Sequence, residues 1–324
     1  MAIKIKREIM AVKTRLTQHD FEAILSGYNL GKCIRWEAIN QGTVQTNYFL
    51  ETPQGRFVLR YYENRSKQSV LFESDLLEFL NGKRYPCPFS VKDKQGNCVN
   101  TYGNKPFMIF KFIEGEFVRQ PKVYHWQQLI QLAAELQKIS SDFSSPYLAY
   151  RWNYDAALCR KLAQDRARQI NTSSAHEKFS WLSRQLAELD LPESLPKAIC
   201  HCDFHFSNVL FNGNKLVALL DFDDANYTFM QFDLVGLIEY WAWEDTAETL
   251  DLQKARTVVQ EYMRHRPLPA IEQHHLFDVY KLSILFDCVW YFERGTSAHF
   301  REKEKIEALN RMGREKFING LFKN

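Results

Sequence analysis

The sequence predicts an α+β protein in which residues 1–112 build a five-stranded sheet with helices and residues 113–324 are mainly helical around one β-hairpin. Three observations predict it. Short runs of aromatic and β-branched residues, separated by Gly- and Asn-containing turns, crowd the first third of the chain. Apolar residues three and four apart dominate beyond residue 120. The stretch 199–224, ICHCDFHFSNVLFNGNKLVALLDFDD, breaks that helical period with two apolar runs around Asn212-Gly213, a short-range hairpin signal.

Segment 17–27 reads as a capped helix, with Thr17 as N-cap, Phe21, Ile24 and Leu25 on one face and Gly27 near the stop. Strands follow at 33–39, 47–52 and 57–62, with turns at Asn40-Gln41-Gly42 and Pro53-Gln54-Gly55. A helix over 69–81 turns Val70, Leu77 and Leu80 inward, with Glu73 and Glu78 beside them. Strands at 98–102 and 107–112 complete the sheet, and the lobe boundary falls ahead of Gly115. Helix 124–140 then aligns Trp126, Leu129, Ile130, Ala133, Leu136 and Ile139. The stretch 154–189 is charged and helical with polar interruptions. Beyond the hairpin, an apolar helix reaches residue 243 with Asp233 at its start, and helices over 276–294 and 300–317 close the chain.

Composition narrows the function classes. Forty-two basic and 39 acidic residues give a net charge of +3, a balance that offers no support for nucleic acid as partner. No run approaches the roughly 18 apolar residues of a membrane span, and the basic start, MAIKIKREIMAVKTR, lacks a signal-peptide core. Seven scattered cysteines, an odd number in a chain too large to need stapling, predict reduced thiols and a cytoplasmic location.

The hairpin carries the chemistry. Asn208 enters its first strand and Asp221 leaves its second, so antiparallel pairing brings both to one end of the ladder, with Asp203 just upstream. An amide and two carboxylates make the oxygen-rich setting that Mg²⁺ on substrate phosphates requires, with one carboxylate left to act as a base. Two other readings compete. Acidic loops after hairpins are often only solvated turns. His201, Asp203 and His205 also alternate, with Cys200 and Cys202 in reach, as ligands of Zn²⁺ would, although the C-x-x-C spacing of a zinc knuckle is missing.

His201-x-Asp203-x-x-x-x-Asn208 followed by Asp221-Phe222-Asp223 resembles the catalytic and metal loops of the aminoglycoside phosphotransferase and choline kinase superfamily, relatives of protein kinases. The resemblance implies a bilobal, protein-kinase-like fold whose N-lobe holds a five-stranded antiparallel sheet. It implies Asp203 as the base, Asn208 and Asp221 as Mg²⁺ ligands, and ATP as the phosphoryl donor. The loop NQGTVQT, with Gly42 and Thr43, would lie over the phosphates. Taken alone, it is only a hairpin turn. Arg60 stands where kinases carry a phosphate-pairing lysine; Glu73, seven residues before Leu80, is its expected partner and Glu78 the alternative. Main-chain atoms of Phe110 to Phe112 would meet adenine. Gln137 stands where related sequences commonly carry a histidine.

Within the superfamily the chain is most similar to the homoserine kinase group, through VQTNYFLETPQGRFVLRYYE, KRYPCPFSV and FDLVGLIEYWAW. Arg60 and the segment 239–243 depart from that branch. The resemblance implies an ATP- and Mg²⁺-dependent transferase acting on the hydroxyl of a small amino-bearing metabolite, with homoserine first and choline-like amino alcohols or aminoglycosides as alternatives. Its partners would be that small molecule and, at most, a second copy in a homodimer. Candidate substrate contacts are His205, Asp223, Glu239 and Trp243. The last two belong to an aromatic and acidic cluster with Trp241, Glu244 and Asp245 that suits a cationic ligand, unless its tryptophans are core. Asp287, Trp290, Tyr291 and Arg294 are further lining candidates. The reading outside catalysis is a nucleotide-binding pseudokinase.

Overall fold

The computed structural model describes residues 14–40, 44–244 and 248–323. Helix α1 (Gln18–Leu25) starts from a capping box. Thr17 accepts the Asp20 N–H, and the Asp20 carboxylate accepts the Thr17 N–H at 2.6 Å. Strands β1 (Arg35–Ile39), β2 (Thr46–Thr52) and β3 (Gly55–Tyr61) follow, then α2 (Lys67–Gly82), capped by Ser66. Strands β4 (Asn100–Tyr102) and β5 (Lys105–Lys111) complete an antiparallel sheet in the order β1-β2-β3-β5-β4. The alternation of buried and half-buried residues along β2 turns Tyr48 and Leu50 onto one face, where they pack with Phe21, Ile24, Leu25, Phe57, Leu59 and Ile109. The five strands and both helices expected in this part of the chain are all present.

The two-residue strand β6 (Glu116–Phe117) precedes α3 (Val123–Ile139), α4 (Ala156–Ile170), α5 (Ser173–Ala187) and β7 (Lys197–Cys200). The hairpin is β8 (Val209–Asn212) and β9 (Lys215–Leu219), with Gly213 in its turn at φ +58°. β10 (Asn226–Phe229) pairs antiparallel with β7, and α6 (Phe232–Ala242), α7 (Leu252–His265), α8 (Ala270–Trp290), α9 (Arg301–Met312) and α10 (Arg314–Phe322) end the described chain. The sequence reading has no counterpart of β7, β10 or α7, and its interrupted stretch 154–189 resolves into two helices, α4 and α5. Strands of four residues buried among apolar neighbours carry no legible alternation.

Two compact units divide these elements. The first comprises residues up to 119, 143–151 and 207–223; the second comprises 120–142, 152–206 and 224 onward. They interleave along the chain, so their limits differ from a single cut after residue 112. In the first unit the hairpin is tied to its surroundings by β6, which pairs with β8, and by the Leu219 N–H, which donates to Pro86 O at 2.8 Å. Gly115 lets this packing close, because a Cβ there would stand 2.9 Å from the Leu210 Cβ.

Candidate active site

The first unit holds the hairpin end. Val209 pairs with Leu219, and the Leu220 N–H donates to Asn208 O at 2.7 Å, so Asn208 and Asp221 stand on the two strands where the ladder opens. Asp221 adopts φ +65°, a left-handed conformation rare outside glycine, which Asp tolerates better than most residues. Its side chain remains 38% exposed, and its Oδ1 accepts from Arg60 Nη1 at 2.8 Å. Arg60 also donates through Nε to Asn47 Oδ1 at 3.1 Å and stands 3.8 Å from Glu73.

Arg60 therefore does meet Glu73, but its shorter contact is with Asp221. Burial raises the Glu73 carboxyl to about 7, an effect that Arg60 only partly offsets. Glu78, the alternative partner, is exposed and paired with Lys92.

One expectation in this unit is corrected. Asp223, expected to face substrate, is buried, and its carboxylate takes Arg65 Nε at 2.9 Å, Arg65 Nη2 at 3.0 Å and Gln45 Nε2 at 2.9 Å. Burial alone would push its pKa up; the Arg65 guanidinium reverses this and holds it well below the usual carboxylate range. Of the main-chain groups expected to meet adenine, two N–H groups are already engaged: the Lys111 N–H donates to Phe89 O and the Phe112 N–H to Arg56 O, at 2.9 and 3.0 Å. Gly42 and Thr43 lie outside the described residues.

The second unit holds the loop after β7. Asp203 Oδ1 and His205 Nε2 are 2.9 Å apart, with their side chains 21% and 33% exposed. The loop is held from behind by Asp233, which accepts the N–H groups of His201 at 3.0 Å and Cys202 at 2.8 Å. These bonds fix Cys202 at φ +62°. Asp233 stands in the first turn of α6, whose N-cap is Gln231, so it braces the loop instead of capping the helix. Gln137, fully buried, donates to Asp233 Oδ2 at 3.1 Å, and its own Oε1 accepts from the Tyr262 hydroxyl. The departure from histidine at 137 thus preserves the brace.

Two more readings fall in this unit. Glu239 and Trp243 are buried; the carboxylate pairs with Lys305, whose ammonium also lies 5.6 Å from the Trp243 ring centroid. Both are thus engaged by Lys305 of α9, and Asp245 lies outside the described residues. The zinc reading also fails. Among the described residues, the group of His, Cys, Asp and Glu side chains close enough to share a metal is Asp190, His274 and His275, and it does not include 201, 203 or 205. The sequence reading gave no individual role to Gln45 and Asn47, although both lie in the stretch that resembles the homoserine kinase group, nor to Arg65, Arg151 and Tyr262, which fall in no motif.

A phosphoryl-transfer protein is the class that this fold and these groups define. A family model described as "Phosphotransferase enzyme family" matches residues 35–268, and the chain belongs to that family. It is a small-molecule kinase, a catalyst of phosphoryl transfer from ATP to a hydroxyl. The homoserine kinases of Bartonella henselae and Bartonella tribocorum are 29% and 30% identical to it over 272 and 266 residues, in each case 81% of this chain and 82% of the relative. That of Pseudomonas aeruginosa is 29% identical over 272 residues. Among solved structures, a spectinomycin phosphotransferase with ADP and spectinomycin matches 96% of this chain and 99% of its own at a TM-score of 0.62 and 13% identity. An amicoumacin kinase with AMP-PNP and Ca²⁺ matches 93% and 94% at 0.64 and 16%. The expected α+β class is the one these proteins share.

Proposed function

We propose that the chain phosphorylates the side-chain hydroxyl of homoserine, using ATP and Mg²⁺, and that it does so in the cytoplasm as a monomer or homodimer. The observation that carries the substrate is the relation to homoserine kinases along about four fifths of both chains. The location rests on the seven cysteines, all free thiols. No helix among the described residues is long and apolar enough to cross a membrane. In functional terms, residues 1–112 form the nucleotide lobe and 113–324 the catalytic and substrate lobe.

Asn208 and Asp221 would hold Mg²⁺. Both offer hard oxygen donors, and the Asp221 side chain remains 38% exposed with Arg60 on Oδ1, so the donor set suits a hard cation. When bound, the metal neutralises charge on the transferring phosphoryl group. Arg60 orients phosphate oxygens with a forked guanidinium, braced by Asn47 and Glu73. Asp203 accepts the proton of the substrate hydroxyl as its oxygen bonds to the γ-phosphorus and the bond to the ADP oxygen breaks. His205, hydrogen-bonded to Asp203, keeps that carboxylate in orientation.

A panel of homoserine, serine, threonine, choline, ethanolamine and an aminoglycoside, assayed by ADP release with ATP and Mg²⁺, tests the proposal. Homoserine should show the highest kcat/KM; a higher value for an amino alcohol or aminoglycoside would replace it as the substrate. Nucleotide binding without transfer to any panel member would favour the pseudokinase reading.

A further inference from the structure

Gln45, which directly precedes β2, is 4% exposed. The Gln45 Oε1 accepts the Glu63 N–H at 2.8 Å, while Nε2 donates to Asn64 Oδ1 at 3.1 Å and to Asp223 Oδ2 at 2.9 Å. Asp223, 5% exposed, is gripped on both oxygens by Arg65. Arg151 secures the same loop through its backbone. It donates to the carbonyls of Phe222 and Asp223 and, at 2.9 Å, to Ser69 Oγ in the first turn of α2. One buried carboxylate therefore joins the start of β2, the segment between β3 and α2, and the loop that carries Asp221.

A metal ligand needs an oxygen turned toward an open coordination position. Asp223 instead has both carboxylate oxygens taken by three side-chain N–H donors within 3.0 Å, whereas Asp221, two residues earlier, remains 38% exposed. We propose that Asp223 is a positioning residue that, with Gln45 and Arg65, locks the start of β2 to the Asp221 loop, and that it contacts neither metal nor acceptor. The proposal rests on the nucleotide reading above. It makes Gln45 and Arg65 act on ATP through a shared carboxylate, with no phosphate contact of their own.

The test is calorimetric binding of AMP-PNP to the full chain, with and without Mg²⁺, for wild type, Gln45→Ala, Arg65→Lys and the double variant. Each single variant should weaken binding about five- to tenfold in both conditions, and the double variant no more than the weaker single one. KM for ATP should rise while KM for the acceptor stays unchanged. Gln45→Glu, which sets a second carboxylate against Asp223, should bind more weakly than Gln45→Ala. Effects that multiply in the double variant would overturn the shared carboxylate. So would Gln45→Glu binding as wild type does. Asp223→Asn that leaves metal-free affinity intact and weakens only the Mg²⁺-dependent part would identify Asp223 as a metal ligand instead. Wild type that binds no AMP-PNP would overturn the nucleotide reading itself; wild type that binds while the variants match it would overturn this proposal alone.

Discussion

The loop around Asp221 and the loop around Asp203 are held in contrasting ways. In the first unit, guanidinium groups do the work: Arg60 on Asp221, Arg65 on Asp223, and Arg151 on the backbone of 222–223. In the second, one buried carboxylate, Asp233, collects two backbone N–H groups and a glutamine amide. Forked side-chain pairs depend on guanidinium shape, while a backbone brace depends on a single acceptor whose loss strands buried donors. The first arrangement should therefore be sensitive to Arg-to-Lys changes and the second to loss of Asp233.

The largest effect is expected at Asp233. Asp233→Ala leaves the N–H groups of His201 and Cys202 without their acceptor, and stability should fall by about 2–4 kcal/mol, measured by urea unfolding. Transfer activity should fall with it, while nucleotide affinity of the folded fraction holds; a variant as stable as wild type would show that the brace is dispensable. Next comes Arg60→Lys. An ammonium cannot reach Asp221, Asn47 and Glu73 as the fork does, so KM for ATP should rise on the order of tenfold with stability nearly unchanged. An unchanged KM would remove Arg60 from the phosphate site.

A smaller effect concerns pH. Glu73 titrates near 7 in the fold against an ordinary 4.5, so between those values the folded chain keeps a proton that the unfolded chain releases. The stability this contributes is complete below about 4.5 and is lost as pH rises through about 7. Thermal midpoints of the nucleotide-free protein should thus carry a falling component across that window that Glu73→Gln removes; an identical slope in the variant would contradict the assignment. The smallest effect is expected at Gln137→His. A histidine can also donate to Asp233, so stability should change by less than about 1 kcal/mol, whereas Gln137→Leu should cost more.

The contrast also explains what could be read in advance. Asn208 and Asp221 were legible because a hairpin fixes its own register, and Asn212-Gly213 announces the hairpin. The helices and strands among the described residues 14–112 followed from local periodicity and from the cap at Thr17, while the Ser66 cap went unread and α2 begins two residues before its expected start. Long-range pairing left no such mark. Asp223 and Glu239 look like ligand groups in sequence because their partners, Arg65 and Lys305, lie 158 and 66 residues away. Asp233 has the composition of an N-cap, and only the position of the loop at 201–202 reveals its other task. The amides of Lys111 and Phe112 could be assigned only once Phe89 and Arg56 were placed beside them.

The central claim is that Asp203 serves phosphoryl transfer to an acceptor hydroxyl and not nucleotide binding. Phosphorus NMR of the protein with ATP, Mg²⁺ and homoserine tests it directly. Wild type should build up a phosphate monoester in step with ADP, and Asp203→Asn should slow this by about 10²- to 10⁴-fold while calorimetry shows AMP-PNP affinity unchanged. Monoester formation by Asp203→Asn at the wild-type rate would contradict the account.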